Sequence, residues 1–189
     1  MADANATVEK VSPVNWQGPV QYHALHYVTF RLEGWGIDQL YRKSYSIMQD
    51  LGYLTQEVRY VNVPPAQQGE GTFVAAWWRG SHEVDYKYAI NWMFLNLKMY
   101  FTPKPKPGTD PKNPIMANHG WIEYKMDGFC RTDYLARWVG SPLLKFIRPM
   151  REKYFYYDKI EQFVELLRHD AKVFQEKVEE FANYLPTII

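Results

Sequence analysis

The sequence of 189 residues predicts an α+β fold in which a strand and a helix precede a four-stranded antiparallel meander. A short helix and a long C-terminal helix follow, and we expect them to pack on one face of the sheet. Three observations predict this fold: a period-two pattern over 22–32, four further strand patterns between 54 and 134, and a heptad-like apolar pattern over 160–185. We expect a single domain over 21–189, preceded by a flexible arm over 1–20.

The first strand and the first helix are predicted from a change of period. Apolar residues alternate over 22–32, which is typical of a strand that is buried on one side. The glycine-containing segment 34–36 interrupts this pattern, and apolar residues then follow helical spacing over 37–51. Gly52 provides a C-terminal stop for the helix.

The four strands of the meander are separated by segments rich in turn residues. Alternation over 54–63 ends at Pro64, because proline has no amide hydrogen to donate to a ladder. Strand patterns over 72–79 and 86–101 come next, and the second is apolar on both faces, which indicates a central strand. A last strand over 121–134 closes the sheet.

The connection over 102–118 combines five prolines with three lysines, Lys104, Lys106 and Lys112. Prolines oppose both helix and ladder, so this segment is predicted to project as a stiff basic loop. It is either an elongated hairpin connection or a finger that reaches a phosphate-rich surface.

Two helices are predicted after the sheet. Ser141 and Pro142 are typical of a helix start, and Pro149 should kink or end this short helix. A long helix is predicted over about 154–185, ended by Pro186. Its apolar seam recurs at alternating steps of four and three and comprises Ile160, Val164, Leu167, Ala171, Phe174, Val178, Phe181 and Leu185.

The length of this seam predicts an interface. At 1.5 Å per residue it spans roughly 40 Å, which exceeds the width of a small sheet. We therefore expect part of the seam to be covered by a second copy of the chain or by another partner.

Composition and motifs exclude several classes of protein. Cys130 is the only cysteine, so the chain can form neither an internal disulfide nor a thiolate cage for zinc. His23 and His26 are expected on opposite faces of a strand, and we predict no metal or cofactor site. Nucleotide-binding and common hydrolase motifs do not occur in the sequence. The N-terminus does not read as a signal peptide, and we expect a cytoplasmic protein with no membrane partner.

Charge is distributed unevenly although the formal net charge is only +1. A basic block over 98–153 lies between two acidic segments, and its bases alternate with tyrosines, tryptophans and phenylalanines. Single-stranded or looped RNA is commonly bound by lysines and arginines that pair with phosphates beside aromatic rings that stack on nucleobases. The same pattern is also typical of rings that pack on a sheet while the neighbouring charges are solvated. The candidate RNA-binding residues are Lys104, Lys106, Lys112, Arg131, Arg137, Lys145, Arg148, Arg151 and Lys153.

The C-terminal half resembles a known group of proteins. Segments 120–125, 132–134, 144–148 and 153–154, with Trp138 between them, are similar to small archaeal proteins related to ribosome-associated dimerisation factors. The resemblance implies a non-enzymatic homodimer that binds RNA and proteins of the small ribosomal subunit in resting cells, a hibernation-like role, with no DNA partner. The proline-rich loop departs from the shorter charged hairpin of that group, so the hairpin's contacts do not transfer to this chain.

Two other functions are compatible with the sequence. A curved sheet that grips a long helix can enclose an apolar ligand, as in helix-grip carriers, and the expected lining is Tyr88, Trp92, Phe94, Tyr124 and Phe174. An enzyme built on His82, Asp85 and His119 would require these groups to lie within hydrogen-bond reach of one another. We expect a non-enzymatic protein.

Overall fold

The computed structural model describes residues 21–64, 71–106, 113–138 and 141–188. The arm predicted over 1–20 lies outside the described residues. The elements are β1 (Gln21–Trp35), α1 (Ile37–Asp50), β2 (Leu54–Val63), β3 (Thr72–Asp85), β4 (Ala89–Pro105), β5 (Met116–Thr132), α2 (Pro142–Tyr154) and α3 (Tyr157–Ile188).

The five strands described form one antiparallel sheet in the order β1-β5-β4-β3-β2. Strands β2 to β5 follow one another as a meander, and β1 pairs with β5 at the far edge. The predicted α+β fold, with a strand and a helix before a four-stranded meander, is confirmed.

The three helices in the described part of the chain pack on the same face of the sheet. On β5, the Tyr124 hydroxyl lies 2.7 Å from the Ser44 hydroxyl of α1, and its ring meets the ring of Phe174 of α3 at 5.9 Å. Near the end of the same strand, Thr132 donates a hydrogen bond to Glu152 of α2 over 2.9 Å. The core therefore lies between this face and the helices, as the sequence predicted.

The apolar seam of α3 is covered within a single chain. Leu167, Phe174 and Val178 are fully buried, and among the seam residues Phe181 alone is partly exposed. Helix α3 packs against β1, β4, β5 and α1. The expectation that a second copy covers the seam is therefore wrong. The strands explain why, since β4 and β5 have 17 residues each and so span roughly 55 Å, more than the length of the seam.

Neither Pro149, which was predicted to kink or end its helix, nor Pro186, which was predicted to end the long one, marks a helix end. Helix α2 continues through Pro149 to Tyr154, and the chain leaves helical geometry only at 155–156. A proline removes one helical hydrogen bond, here the bond to the carbonyl of Lys145, an exposed residue where water can replace it. Helix α3 likewise runs past Pro186 to Ile188.

The ladder extends into the proline-rich connection. Strand β4 reaches Pro105 and pairs there with Met116 of β5, so the predicted loop begins as a hairpin. Among the described residues the register between β3 and β4 begins at Phe101, which makes β4 an edge strand beyond that point. Proline is tolerated on an edge because the free side needs no donor.

Candidate nucleic-acid interface

One side of the sheet faces away from the three helices, and we call it the outer sheet face. Strand alternation assigns to it the even-numbered residues of β4 over 90–104 and the residues paired with them. The odd-numbered neighbours, such as Met93 and Leu97, are buried beneath the helices. Its aromatic members, all partly exposed, are Trp35, Phe73, Trp77, Trp92, Phe94, Tyr100, Trp121 and Phe129. Its basic members are Arg31, Arg59, Arg79, Lys98, Lys104, Lys125 and Arg131.

The rings on the outer sheet face form two groups. Trp92 and Phe94 stack at 6.3 Å with an interplanar angle of 17°, and Phe94 meets Phe129 of the neighbouring strand at 5.6 Å. Tyr100 and Trp121 stack at 6.5 Å further along the same two strands. Six residues of β4 separate Phe94 from Tyr100, so the two groups lie roughly 20 Å apart.

Three tryptophans of this face each form a cation–π contact with an arginine. The guanidinium carbon lies 4.4 Å from the ring centroid for Arg31 over Trp121 and 5.1 Å for Arg59 over Trp77. The third pair, Arg79 over Trp92, has a distance of 5.3 Å. A guanidinium over a ring is held in place by attraction to the ring quadrupole, and it still presents its second plane and its N–H groups. The surface thus combines flat rings with oriented cations.

The outer sheet face carries an excess of positive charge. Among the described residues its seven basic side chains outnumber its four acidic ones, which are Glu33, Glu83, Glu123 and Asp127. Glu123 lies between Arg31 and Lys98 in the register, so part of the charge is balanced locally. An anionic chain is favoured over a cationic one on this surface.

A pocket of about 470 Å³ opens at one end of the outer sheet face, beside the turn between α1 and β2. Leu54, Gln56, Arg79, Ser81 and Trp92 contribute to its wall. Arg79 donates a hydrogen bond to the Gln56 side-chain oxygen over 2.9 Å while it lies over Trp92. The pocket therefore offers a ring, an amide, a hydroxyl and a cation to a planar polar ligand.

The predicted RNA-binding residues are divided between two places. Alternation places Lys104 and Arg131 on the outer sheet face, near opposite ends of β4 and β5. Lys106 follows β4, where its amide bonds to the Ile115 carbonyl, and Lys112 lies outside the described residues. Exposed bases also occur on α2 and just before it, and these are Arg137, Lys145 and Lys153.

Arg148 and Arg151, both predicted to bind RNA, are engaged with partners inside the protein instead. Arg148 is buried, where it pairs with Glu152 at 3.2 Å and with Asp133 at 3.5 Å. The Arg151 guanidinium lies 4.2 to 4.8 Å from the ring centroids of Tyr88, Trp138 and Tyr156. Both arginines connect α2 to the segments that flank β4 and β5, and their charges are satisfied by internal partners rather than by solvent or ligand.

Glu152 is the centre of a buried polar network. It accepts hydrogen bonds from Tyr88 at 2.8 Å and from Thr132 at 2.9 Å, and Tyr22 contacts it at 3.4 Å. Burial, followed by the charge of Glu152, raises the pKa of both tyrosines above the usual range. The same two causes raise the pKa of the nearby Cys130 thiol to about 12, so the only cysteine stays protonated and unreactive, as expected from its position on the apolar face.

The residues proposed to line a carrier cavity do not share one space. Tyr124 and Phe174 are fully buried and contact each other in the core. Trp92 and Phe94 lie on the outer sheet face, because alternation along β4 directs them away from the helices. That part of the carrier hypothesis is wrong, and the pocket described above lies at the surface rather than between sheet and helix.

The three groups of the enzyme hypothesis are also apart. His82 of β3 shares a register row with Asn91 and Cys130, whereas His119 pairs with Thr102. Eleven residues of β5 separate these rows, which is roughly 36 Å. Asp85 accepts a hydrogen bond from Tyr156 over 2.8 Å. The geometry that this hypothesis required is not present.

Sequence reasoning missed most of the outer sheet face because it sought the site only in the basic block. The signal was present, since both faces of β4 are rich in apolar residues although only one can face the helices. Arg31, Arg59 and Arg79 lie before the basic block and join the site only through the register of the sheet.

The fold and the site define an α+β protein whose single sheet has one helix-covered face and one aromatic, basic face. No protein-family model matches the chain, and no match was found among curated proteins or solved structures. No helix in the described part of the chain is both long and apolar enough to cross a bilayer.

Proposed function

We propose that this protein binds single-stranded RNA across its outer sheet face and that it acts by binding rather than by catalysis. The observation that carries the proposal is the set of partly exposed rings on β3, β4 and β5, three of which carry arginines. Sheets that bind single-stranded RNA stack two or three bases on aromatic residues of adjacent strands and pair phosphates with cations.

The spacing of the rings supports an extended ligand. The group around Trp92 and the group around Trp121 lie roughly 20 Å apart, with Asn96, Lys98 and Lys125 between them. One strand of several nucleotides can place bases on both groups and phosphates on the lysines. Paired bases offer no free faces, so a duplex cannot use these rings.

The pocket beside Trp92 supplies a site for one base. A base stacked on Trp92 would lie next to the Arg79 guanidinium and the Gln56 amide, which can donate to and accept from its polar edge. A polar edge of this kind provides sequence preference, whereas the remaining rings tolerate any base.

Ribosomal RNA of the small subunit, which the resemblance to archaeal ribosome-associated factors implies, is the source of RNA that we propose first. Of the predicted RNA-binding residues, Lys104 and Arg131 lie on this interface, where Lys98 and Lys125 of the same basic block join them. The proposal does not include a homodimer joined through the α3 seam, because that seam is buried within one chain.

Fluorescence anisotropy with a labelled oligouridine tests the proposal. Trp92→Leu keeps an apolar side chain but removes the ring, and it should weaken binding about tenfold, since stacking of one base contributes about 1–3 kcal/mol. Trp92→Phe retains a ring and should restore most of the affinity. Val58→Ser, which changes an exposed residue at the sheet edge, should leave binding unchanged.

Two results would overturn the proposal. One is an absence of oligouridine binding by the wild-type protein at low salt. The other is equal affinity of the wild-type and Trp92→Leu proteins, provided that circular dichroism shows both to be folded.

A further inference from the structure

Helix α2 has its polar side inward and its apolar side outward. Arg148 and Glu152, one turn apart, are both buried and bonded to each other, to Asp133 and to Thr132. These contacts fix the rotation of the helix about its axis. The residues on the opposite side must therefore face solvent, whatever their polarity.

The exposed side of α2 is a continuous apolar stripe. Phe146 is 71% exposed, and Phe155, just beyond the helix, is 82% exposed. The other members at helical spacing are Leu143, Ile147, Met150 and Tyr154, all exposed. Leu135 before the helix and Tyr157 after it are exposed as well, and we call the whole set the α2 patch. A patch of this kind marks an interaction surface.

The charges around the α2 patch discriminate between possible occupants. Over the described residues from 135 to 161, the exposed bases Arg137, Lys145, Lys153 and Lys159 outnumber the exposed acids Asp158 and Glu161, and Glu152 is buried. Pairing of α2 with the α2 of a second copy would bring like charges together beside the apolar contact. A partner with an apolar layer beneath an anionic outer layer can bury the apolar rings of the patch and also pair with the lysines beside them.

We propose that the α2 patch docks on the surface of a lipid bilayer that contains anionic headgroups, with α2 lying in the plane of the interface. Phe146, Met150 and Phe155 enter the boundary between headgroups and acyl chains, while Lys153, which borders the stripe, extends its ammonium group to lipid phosphates. The sequence predicted no membrane partner, and an interfacial helix requires no membrane-spanning segment.

This surface is independent of the proposed RNA interface. The α2 patch lies on the helix side of the chain, whereas the rings of Trp92 and Trp121 lie on the outer sheet face. The two proposals can therefore fail separately.

Vesicle co-sedimentation of the full chain tests the inference. We expect binding to vesicles made of equal parts phosphatidylcholine and phosphatidylglycerol, and at least tenfold weaker binding to pure phosphatidylcholine. Phe146→Ser combined with Phe155→Ser should abolish sedimentation, and Lys145→Glu combined with Lys153→Glu should reduce it at least tenfold. Val58→Ser removes a similarly exposed apolar side chain elsewhere and should change nothing, and Trp92→Leu should also have no effect.

A fluorescent label gives a second readout that does not depend on sedimentation. Because Cys130 is buried, the thiol of a Met150→Cys variant can be labelled selectively with an environment-sensitive dye. Its emission should shift to the blue when anionic vesicles are added, and the same dye at Val58→Cys should not respond.

Several results would overturn the inference. Equal binding to both kinds of vesicle would show that the lysines do not recognise anionic headgroups. Absence of binding to either kind would show that the α2 patch does not dock on a bilayer. Self-association that the Phe146→Ser and Phe155→Ser changes abolish, without vesicle binding, would assign the patch to a second copy. Loss of oligouridine binding in the same variant would assign it to RNA.

Discussion

Helices α2 and α3 carry similar apolar stripes and use them in opposite ways. Helix α3 places Val164, Leu167 and Phe174 against its own sheet, where all are buried. Helix α2 places Arg148 and Glu152 inward and leaves Phe146 in solvent. An apolar stripe therefore does not by itself decide which side of a helix is buried, since a polar pair with suitable partners at the end of the sheet can reverse it.

The largest expected effect separates the two stripes directly. Phe174→Ala leaves a cavity against Tyr124 and should lower the free energy of unfolding by about 3–5 kcal/mol. Phe146→Ala removes a ring of the same size that is exposed to solvent, and it should change the free energy of unfolding by less than about 0.5 kcal/mol. Denaturant unfolding monitored by circular dichroism measures both, and equal losses would mean that α2 also buries its stripe.

Removing one member of the polar pair that orients α2 should be strongly destabilising. Arg148→Met leaves Glu152 charged, buried and without its cation, which should lower the free energy of unfolding by about 3 kcal/mol. Arg148→Met combined with Glu152→Leu removes both charges and should recover part of that loss. If the loss of unfolding free energy in the double variant equals the sum of the losses caused by the two changes made separately, the pair does not act as a unit.

A smaller effect comes from the polar residue on the inward side of α3. Asp170 is buried and accepts a hydrogen bond from Tyr53 over 2.9 Å, and burial raises its pKa despite this bond and the nearby His82 and His169. An acid whose pKa is higher in the folded state destabilises that state as pH rises from about 3.9, its value in the unfolded chain.

The free energy of unfolding of the Asp170→Asn protein, taken relative to that of wild type, should therefore be higher at neutral pH than below pH of about 4. Unfolding of both proteins across this range gives the difference. A difference that is constant with pH would show that Asp170 has the same pKa in both states. Tyr53→Phe removes the hydrogen bond that opposes the shift, so it should steepen the pH dependence.

The smallest effect is expected on the solvent side of α3. Lys172 and Glu176 form an exposed ion pair at 3.7 Å, and Lys172→Ala should change the free energy of unfolding by less than about 0.5 kcal/mol. High salt should remove even this difference. A larger loss would mean that this side of α3 contacts something more than water.

The sequence was sufficient to predict the strands, the helices and their order, because period and turn residues are local properties. The side of each helix that is buried depends instead on contacts between residues that are distant in the sequence. The α3 seam was expected to outreach the sheet, and only the 17-residue lengths of β4 and β5 show that it does not. Arg148 looked like a surface base because its burial with Glu152 and Asp133 depends on how α2 packs, which no local pattern reveals.

The candidate interface was predictable only in part. Lys104 and Arg131 were identified from the charge of the basic block, and alternation places both on the outer sheet face. Trp92 was identified as well, but it was assigned to an interior cavity. Which face of β4 the helices cover depends on contacts such as that between Tyr124 and Phe174, which no local pattern reveals.

Ultraviolet cross-linking of a single-stranded RNA to the full chain, followed by mass spectrometry of the peptides, identifies the surface that contacts RNA. We propose that this surface is the outer sheet face rather than either C-terminal helix. We expect adducts on peptides that contain Trp77, Trp92 and Trp121, and these should disappear when unlabelled RNA competes. Competed adducts that map instead to α2 or α3, with none on β3, β4 or β5, would contradict the account.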